Sequence, residues 1–272
     1  SEHFDTLFTT TASIDTLKQT ILQLAVMGKL VPQNPNDEPA AKLLERIAAE
    51  KAQLIKDKKI KKQKPLPEIT DEEKSFELPE GWEWSRLGTA FRKVTDGAHN
   101  PPPNTGEGYP MLSCKEVNFE KIDFSLASRF VDQEGFDKEN KRTAISPGDI
   151  LLNIVASIGR SAVVPEGAPK FVLQRNVAVL DSMLEAHFVT RQLASPHCYS
   201  YYSEHAKGTA QQVIYLGKLA LMPLAVPPLE EQHRIVAKVD ELMALCDQLK
   251  ARLTDAQTTK LSLTDAIVEQ AL

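Results

Sequence analysis

Four turn-rich stretches of this 272-residue chain concentrate side chains that carry hydrogen-bonding atoms at their tips. Thr95, Asp96, His99 and Asn100 fall in a Gly- and Pro-rich loop, and Lys115 follows soon after. Ser157 and Arg160 flank a turn at Gly159, while Gln174, Arg175 and Asn176 interrupt two apolar runs. Lys207, Gln211 and Gln212 come after a helical segment. Asn and Gln each present a donor beside an acceptor, and Arg presents a fork of donors. Such groups suit recognition of a polar edge rather than bond making. Candidates for bond making are weaker. His187, His197, Cys198 and His205 match no metal-ligand spacing and read as surface or packed residues, so no metal is expected. Neither a Walker-type phosphate loop nor an acid–base or nucleophile constellation is found.

The segments between these loops are short apolar runs broken by Gly, Pro, Asn and Asp, which read as strands and turns. Strands are expected over Ile150–Val155, Ser161–Val164, Val172–Leu173 and Val177–Leu180, and one short helix closing near Gly208, with Tyr199, Tyr201 and Tyr202 partly buried. Residues 78–226 thus form an α+β globular domain of a size that buries its own core.

Helical blocks flank it. In residues 1–57, Ser13 is placed to cap a helix whose face carries Leu17, Ile21, Leu24 and Ala25, with Asp15 in the first turn and Gly28 ending it. A second helix opens near Pro39 and carries Leu43, Leu44, Ile47 and Leu54. Residues 227–272 begin PPLEEQ, with Glu230 and Glu231 in a first turn where the macrodipole favours negative charge. Ile235, Val239, Leu242, Cys246, Leu249, Leu253, Ala256, Lys260, Leu263 and Ile267 then recur in alternating steps of four and three, a coiled-coil seam. Such a helix would be roughly 65 Å long, more than one small domain covers. Its partner is expected to be the N-terminal helices, through Leu17, Ile21 and Leu24, or a second copy of the chain.

Residues 58–77 run from a basic cluster through prolines into an acidic patch and read as a solvated tether. The alternative is that Lys58, Lys59, Lys61, Lys62 and Lys64 touch phosphates. A net charge of -5, 25% charged residues and no apolar run of membrane-spanning length point to a soluble protein. The cysteines, Cys114, Cys198 and Cys246, are odd in number and lack metal spacing, which suits a reducing cytoplasm.

Long strings of the chain resemble the DNA specificity subunit of type I restriction-modification systems. They are LKQTILQLAVMGKLVPQNPNDEPAAKLLERI from Leu17, FELPEGWEWSRLG from Phe76, VTDGAHNPPP from Val94, SPGDILLNIVASIGRSAVVPE from Ser146, FVLQRNVAVL from Phe171 and QQVIYLGKLALMPLAVPPLEEQHRIV from Gln211. In that family a full subunit carries two target recognition domains separated by paired long helices, each reading half of a split DNA sequence. This chain resembles one such domain with its helices, either a natural half subunit or a fragment of a two-domain one.

The resemblance implies double-stranded DNA, a type I methyltransferase and, through the complex, a restriction translocase as partners, with a homodimer through the long helices as a further expectation. S-adenosylmethionine, ATP and magnesium would belong to the partner subunits, leaving this chain without cofactor or catalytic residue. Base edges are matched by Arg or Lys for guanine and Asn or Gln for adenine, so about a third of the loop residues above are expected to contact DNA. Asp96, Gly97 and His99 lie in a shared segment and suit organising the loop better than reading bases. Between Glu80 and Pro228, 15 basic residues face 16 acidic ones, so the phosphate grip is expected to be shared with the methyltransferase. Asn100–Pro103 resembles the Asn-Pro-Pro-aromatic loop of adenine methyltransferases, but Pro103 has no aromatic face to stack on a base. A coiled-coil adaptor without DNA and an enzyme with an unrecognised site are the alternative readings.

Overall fold

The computed structural model describes residues 10–271 apart from Lys61 and Gln63, so the Lys61 expectation lies outside the described residues. Helix α1 (Thr11–Val26) starts ahead of the expected cap, because Thr10 is the N-cap and its hydroxyl accepts from the Ser13 amide at 3.2 Å. Ser13 therefore sits inside the first turn, and Asp15 reaches across to Lys250 at 2.7 Å. Beyond the helix, Gly28 takes φ +66°, and a side chain there would run into Pro79. Helix α2 (Ala40–Lys56) follows Pro39 as expected.

The domain opens with strand β1 (Glu83–Arg86), which pairs antiparallel with the last strand, β11 (Pro223–Val226), and so joins the two ends of the domain. After the short α3 (Leu87–Ala90) comes a four-stranded antiparallel sheet in the order β2 (Phe91–Asp96), β10 (Val177–Ser182), β7 (Ile150–Asn153), β8 (Ser161–Val163). Its inner strands are apolar over Ile150–Leu152 and Val177–Leu180, where both faces are covered. Successive residues point to opposite sides: Ile150, Leu152, Ala178 and Leu180 join one core, Leu151, Val177 and Val179 another. The first core is covered by α2, α3, α5 (Ala186–Leu193), α6 (Pro196–His205) and α7 (Leu216–Leu221). Against the second lies a three-stranded sheet in which β3 (Tyr109–Leu112) pairs antiparallel with β6 (Phe130–Val131) and parallel with β9 (Val172–Leu173). A hairpin, β4 (Val117–Asn118) with β5 (Lys121–Ile122), and helix α4 (Gln133–Thr143) complete this side.

The α+β class stands, with two local corrections. One helix was expected up to Gly208, but the chain forms α5 and α6, since the Ser195 hydroxyl accepts from the Cys198 amide and Pro196 occupies the new first turn. The segment read as a solvated tether is strapped down over its second half. Arg86, buried, donates to the Pro67 and Glu68 carbonyls at 3.1 and 2.8 Å and pairs with Glu73 at 2.6 Å. Farther on, the Phe76 ring packs on Trp84 at 5.0 Å.

Helix α8 (Leu229–Ala271) runs antiparallel to α1, with Lys18 paired to Asp247 and Asp15 to Lys250. Ile235, Val239, Leu242, Cys246, Leu249 and Leu253 share a cluster with Ile14, Leu17, Ile21, Leu22, Ala25 and Val26. Leu24 is not in that cluster: Ile14, Leu22 and Val26 widen the stripe on its other side. Leu263 and Ile267 are 61% and 58% exposed, so they pair with nothing among the described residues. The reason is length, since 16 residues of α1 span roughly 24 Å and 43 residues of α8 roughly 65 Å.

The PPLEEQ segment does more than start the helix. Glu231 is buried and accepts from Trp82 Nε1 at 3.0 Å and Gln33 Nε2 at 3.1 Å. Burial pushes its carboxyl above the usual range, against the lowering effect of those two donors. The buried Gln232 amide accepts from the Glu185 amide at 2.8 Å and donates to the Pro227 carbonyl at 2.9 Å. Arg234 meets Asp37 at 2.6 Å. One turn of α8 thus ties the domain, the α1–α2 connection and the long helix together.

Candidate nucleic-acid interface

Strand order brings the polar loops together. The segment after β2, the turn between β9 and β10, and the loop after β7 all leave the sheet at the same end, because β10 lies antiparallel between β2 and β7. Backbone bonds then stitch them: Ala98 donates to the Leu173 carbonyl at 2.7 Å, Arg175 to Ala98 at 3.2 Å, and Ile154 to Asn176 at 3.0 Å. The segment after α6 joins through Ile214 to Ile154 at 2.9 Å and Ala156 to Gln212 at 2.9 Å. At Gly97 the chain passes so close to Leu173 and Gln174 that a Cβ would overlap their backbone, so glycine is required by approach.

The result is an open concavity of about 430 Å³ whose lining includes His99, Gln174, Arg175, Asn176, Gln211 and Tyr215. Six of the thirteen loop residues named from the sequence meet there, Asp96 among them. Asn176 leaves its Oδ1 without a hydrogen-bond partner among the described residues, while its Nδ2 faces Cys114 Sγ at 3.5 Å. Burial raises the Cys114 thiol above its ordinary value, which keeps it protonated. Tyr215, 60% exposed, was missed by the sequence reading: it sits between Ile214 and Leu216 in an apolar run, and no periodicity separates it from its neighbours.

The remaining expected residues divide. Asn100, Lys115, Lys207 and Gln212 are exposed on the rim segments. Lys115 rides on the turn whose Cys114 carbonyl accepts from Asn153 Nδ2 at 3.1 Å, and the Lys207 backbone pairs with Val213. Ser157 is turned inward, its hydroxyl accepting from Asn153 Nδ2 at 2.9 Å. Arg160 stands over the Phe119 ring at 5.8 Å, on the β4–β5 hairpin. Thr95 is a strand residue opposite Val179 and lines a separate groove, so the loop begins only after Asp96. Asp96 accepts from His99 Nε2 at 2.8 Å and from Arg142 Nη1 at 2.9 Å, the organising role expected of the Asp96–His99 segment.

Residues 79–256 match the family model described as type I restriction modification DNA specificity domain. The chain belongs to this family. Along its whole length the specificity-domain chain is 41% identical to the specificity subunit of the type I restriction enzyme EcoAI and 39% identical to that of EcoEI, both from Escherichia coli, and it covers 47% of each. It therefore spans about half the length of these curated relatives. A chain solved in work on complex assembly and conformational transition of the type I R-M system shares the fold, with a TM-score of 0.54 at 19% identity over 96% of this chain and 57% of the other.

Elsewhere the specificity-domain chain is structurally occupied. His197 packs against Phe76 and Trp84 and lies 3.2 Å from the Pro223 carbonyl, and His205 stacks on Tyr201 at 4.0 Å. Cys198 is fully enclosed, its thiol pushed up to about 12 by burial. Among the described residues no group of three or more His, Cys, Asp or Glu side chains is arranged to hold a metal ion, and no helix is long and apolar enough to cross a membrane. The Asn100–Pro103 stretch is tied to β6, since Arg129 donates to the Pro102 carbonyl at 3.1 Å.

Proposed function

We propose that this chain reads one half of a bipartite DNA target for a type I restriction-modification enzyme, with residues 78–226 as the recognition domain and the flanking helices as spacer and docking surface. The observation that carries this reading is the convergence of Gln174, Arg175, Asn176, Gln211 and His99 on one open concavity in a chain of the specificity family. Arg175 matches guanine edges, and the amides match adenine. The spacer reading is supported by α8, which has a fixed rise per residue, is anchored at its start, and among the described residues is bare beyond Leu253. The second recognition domain comes from further residues of a longer polypeptide or from a second copy paired through α8, and light scattering at micromolar concentration separates the two. Methyltransferase and restriction subunits supply the catalysis, S-adenosylmethionine, ATP and magnesium, and much of the phosphate grip. The test is co-purification with the methyltransferase subunit followed by methylation footprinting. We expect a stable complex with protection that depends on DNA sequence; a complex that protects all sequences equally would sink the reading.

A further inference from the structure

A groove of about 1050 Å³ lies along β2, on the far side of Asp96 from the readout concavity. Its walls are β2, the end of α4, the turn before β7 and the end of α2. Arg142 lines this groove, Asp96 and His99 line the concavity, and an ion pair between Arg142 and Asp96 at 2.9 Å links one lining to the other. The Arg142 guanidinium also donates to the Gly97 carbonyl.

Among the groove's lining residues, five cations face three carboxylates, Glu50, Asp149 and Asp181. Arg92 is held by Glu50 and Asp181 at 2.8 and 2.9 Å, and Lys93 by Asp149 at 2.9 Å. With Arg142 on Asp96, the described ion pairs leave Lys59, just past α2, and Lys141, in the last turn of α4, both exposed and lining the groove. Exposed Lys56 and Lys58 add positive charge beside Lys59, offset in part by Asp57. The domain as a whole is near neutral, so this concentration is local. Four residues of β2, Arg92 to Thr95, line the groove, a length of roughly 13 Å.

We propose that this groove is a phosphate-binding track for the DNA strand leaving the readout loops, with Lys59 and Lys141 as its contacts. The proposal rests on the DNA reading above and adds a surface outside the loops. Phosphate contacts position a duplex without reading it, so their loss acts alike on all sequences and lowers the salt dependence. The experiment compares the chain with its Lys59→Gln/Lys141→Gln variant on a target duplex and a scrambled duplex, across a salt series. The expected result is an equal loss of affinity on both duplexes, with the slope of log K against log salt smaller by about 1.8, two phosphates at ~0.9 each. A Lys59→Arg/Lys141→Arg variant should restore the parental slope, and Lys238→Gln, on the far helix, should keep it. A parental slope in the Gln variant, with unchanged melting, overturns the track while leaving the readout reading intact. Absence of DNA binding by the parent chain at low salt overturns both.

Discussion

The first turn of α8 and the concavity at the loop end of the sheet are built from the same kinds of side chain, and they treat them oppositely. At the helix start, Glu231, Gln232, Trp82 and Gln33 are bonded to one another or to backbone, and the two α8 residues are buried. In the concavity, Arg175 and Gln211 are exposed. A buried polar group that loses its partner costs the full desolvation penalty, whereas an exposed one exchanges partners with water at little cost. Polar side chains satisfied within the protein hold the fold; those left open are free to meet a ligand. The amino-acid type alone does not distinguish the roles.

The sharpest way to break this contrast is to remove a satisfied polar group. Arg86→Ala should cost about 1–3 kcal/mol, because it removes a buried side chain that donates to Glu73 and to three backbone carbonyls, and calorimetry should show the loss. The same pair gives a pH signature. The Arg86 hydrogen bond holds the Glu73 carboxyl down from 4.5 to about 2, so its contribution is complete above about 4.5 and disappears as pH falls through about 2. Arg86→Ala should therefore flatten the acid limb of the stability curve, and an unchanged limb would assign the strap to other contacts.

Glu231→Ala should cost about 1–3 kcal/mol, since it orphans the Trp82 and Gln33 donors, while Glu231→Gln, which keeps an acceptor, should melt close to the parent. Neither should alter discrimination between DNA sequences. Arg175→Ala should do the reverse, with stability changed by less than about 0.5 kcal/mol and about 1–3 kcal/mol of discrimination lost at one base position. Loss of stability without loss of discrimination in Arg175→Ala would erase the distinction between the two regions.

Some of this molecule is written locally. The four-and-three spacing of Ile235 to Leu253 determines a helix with one apolar stripe, and the turn at Gly28 and the strands Ile150–Asn153 and Val177–Ser182 follow from residue types within a few positions. The polar loops were also visible as loops, because Gly, Pro, Asn and Asp punctuate the chain. Which loops meet was decided by the strand order β2-β10-β7, which sets residues some 75 positions apart side by side. It also moved Thr95 into the strand, drew Arg160 to Phe119 and turned Ser157 inward. Likewise, spacing marked the seam of α8 to Ile267, but only packing showed that α1 covers it to Leu253. Periodicity is a property of neighbouring residues and survives in the sequence; exposure, pairing and convergence are properties of what lies across the fold.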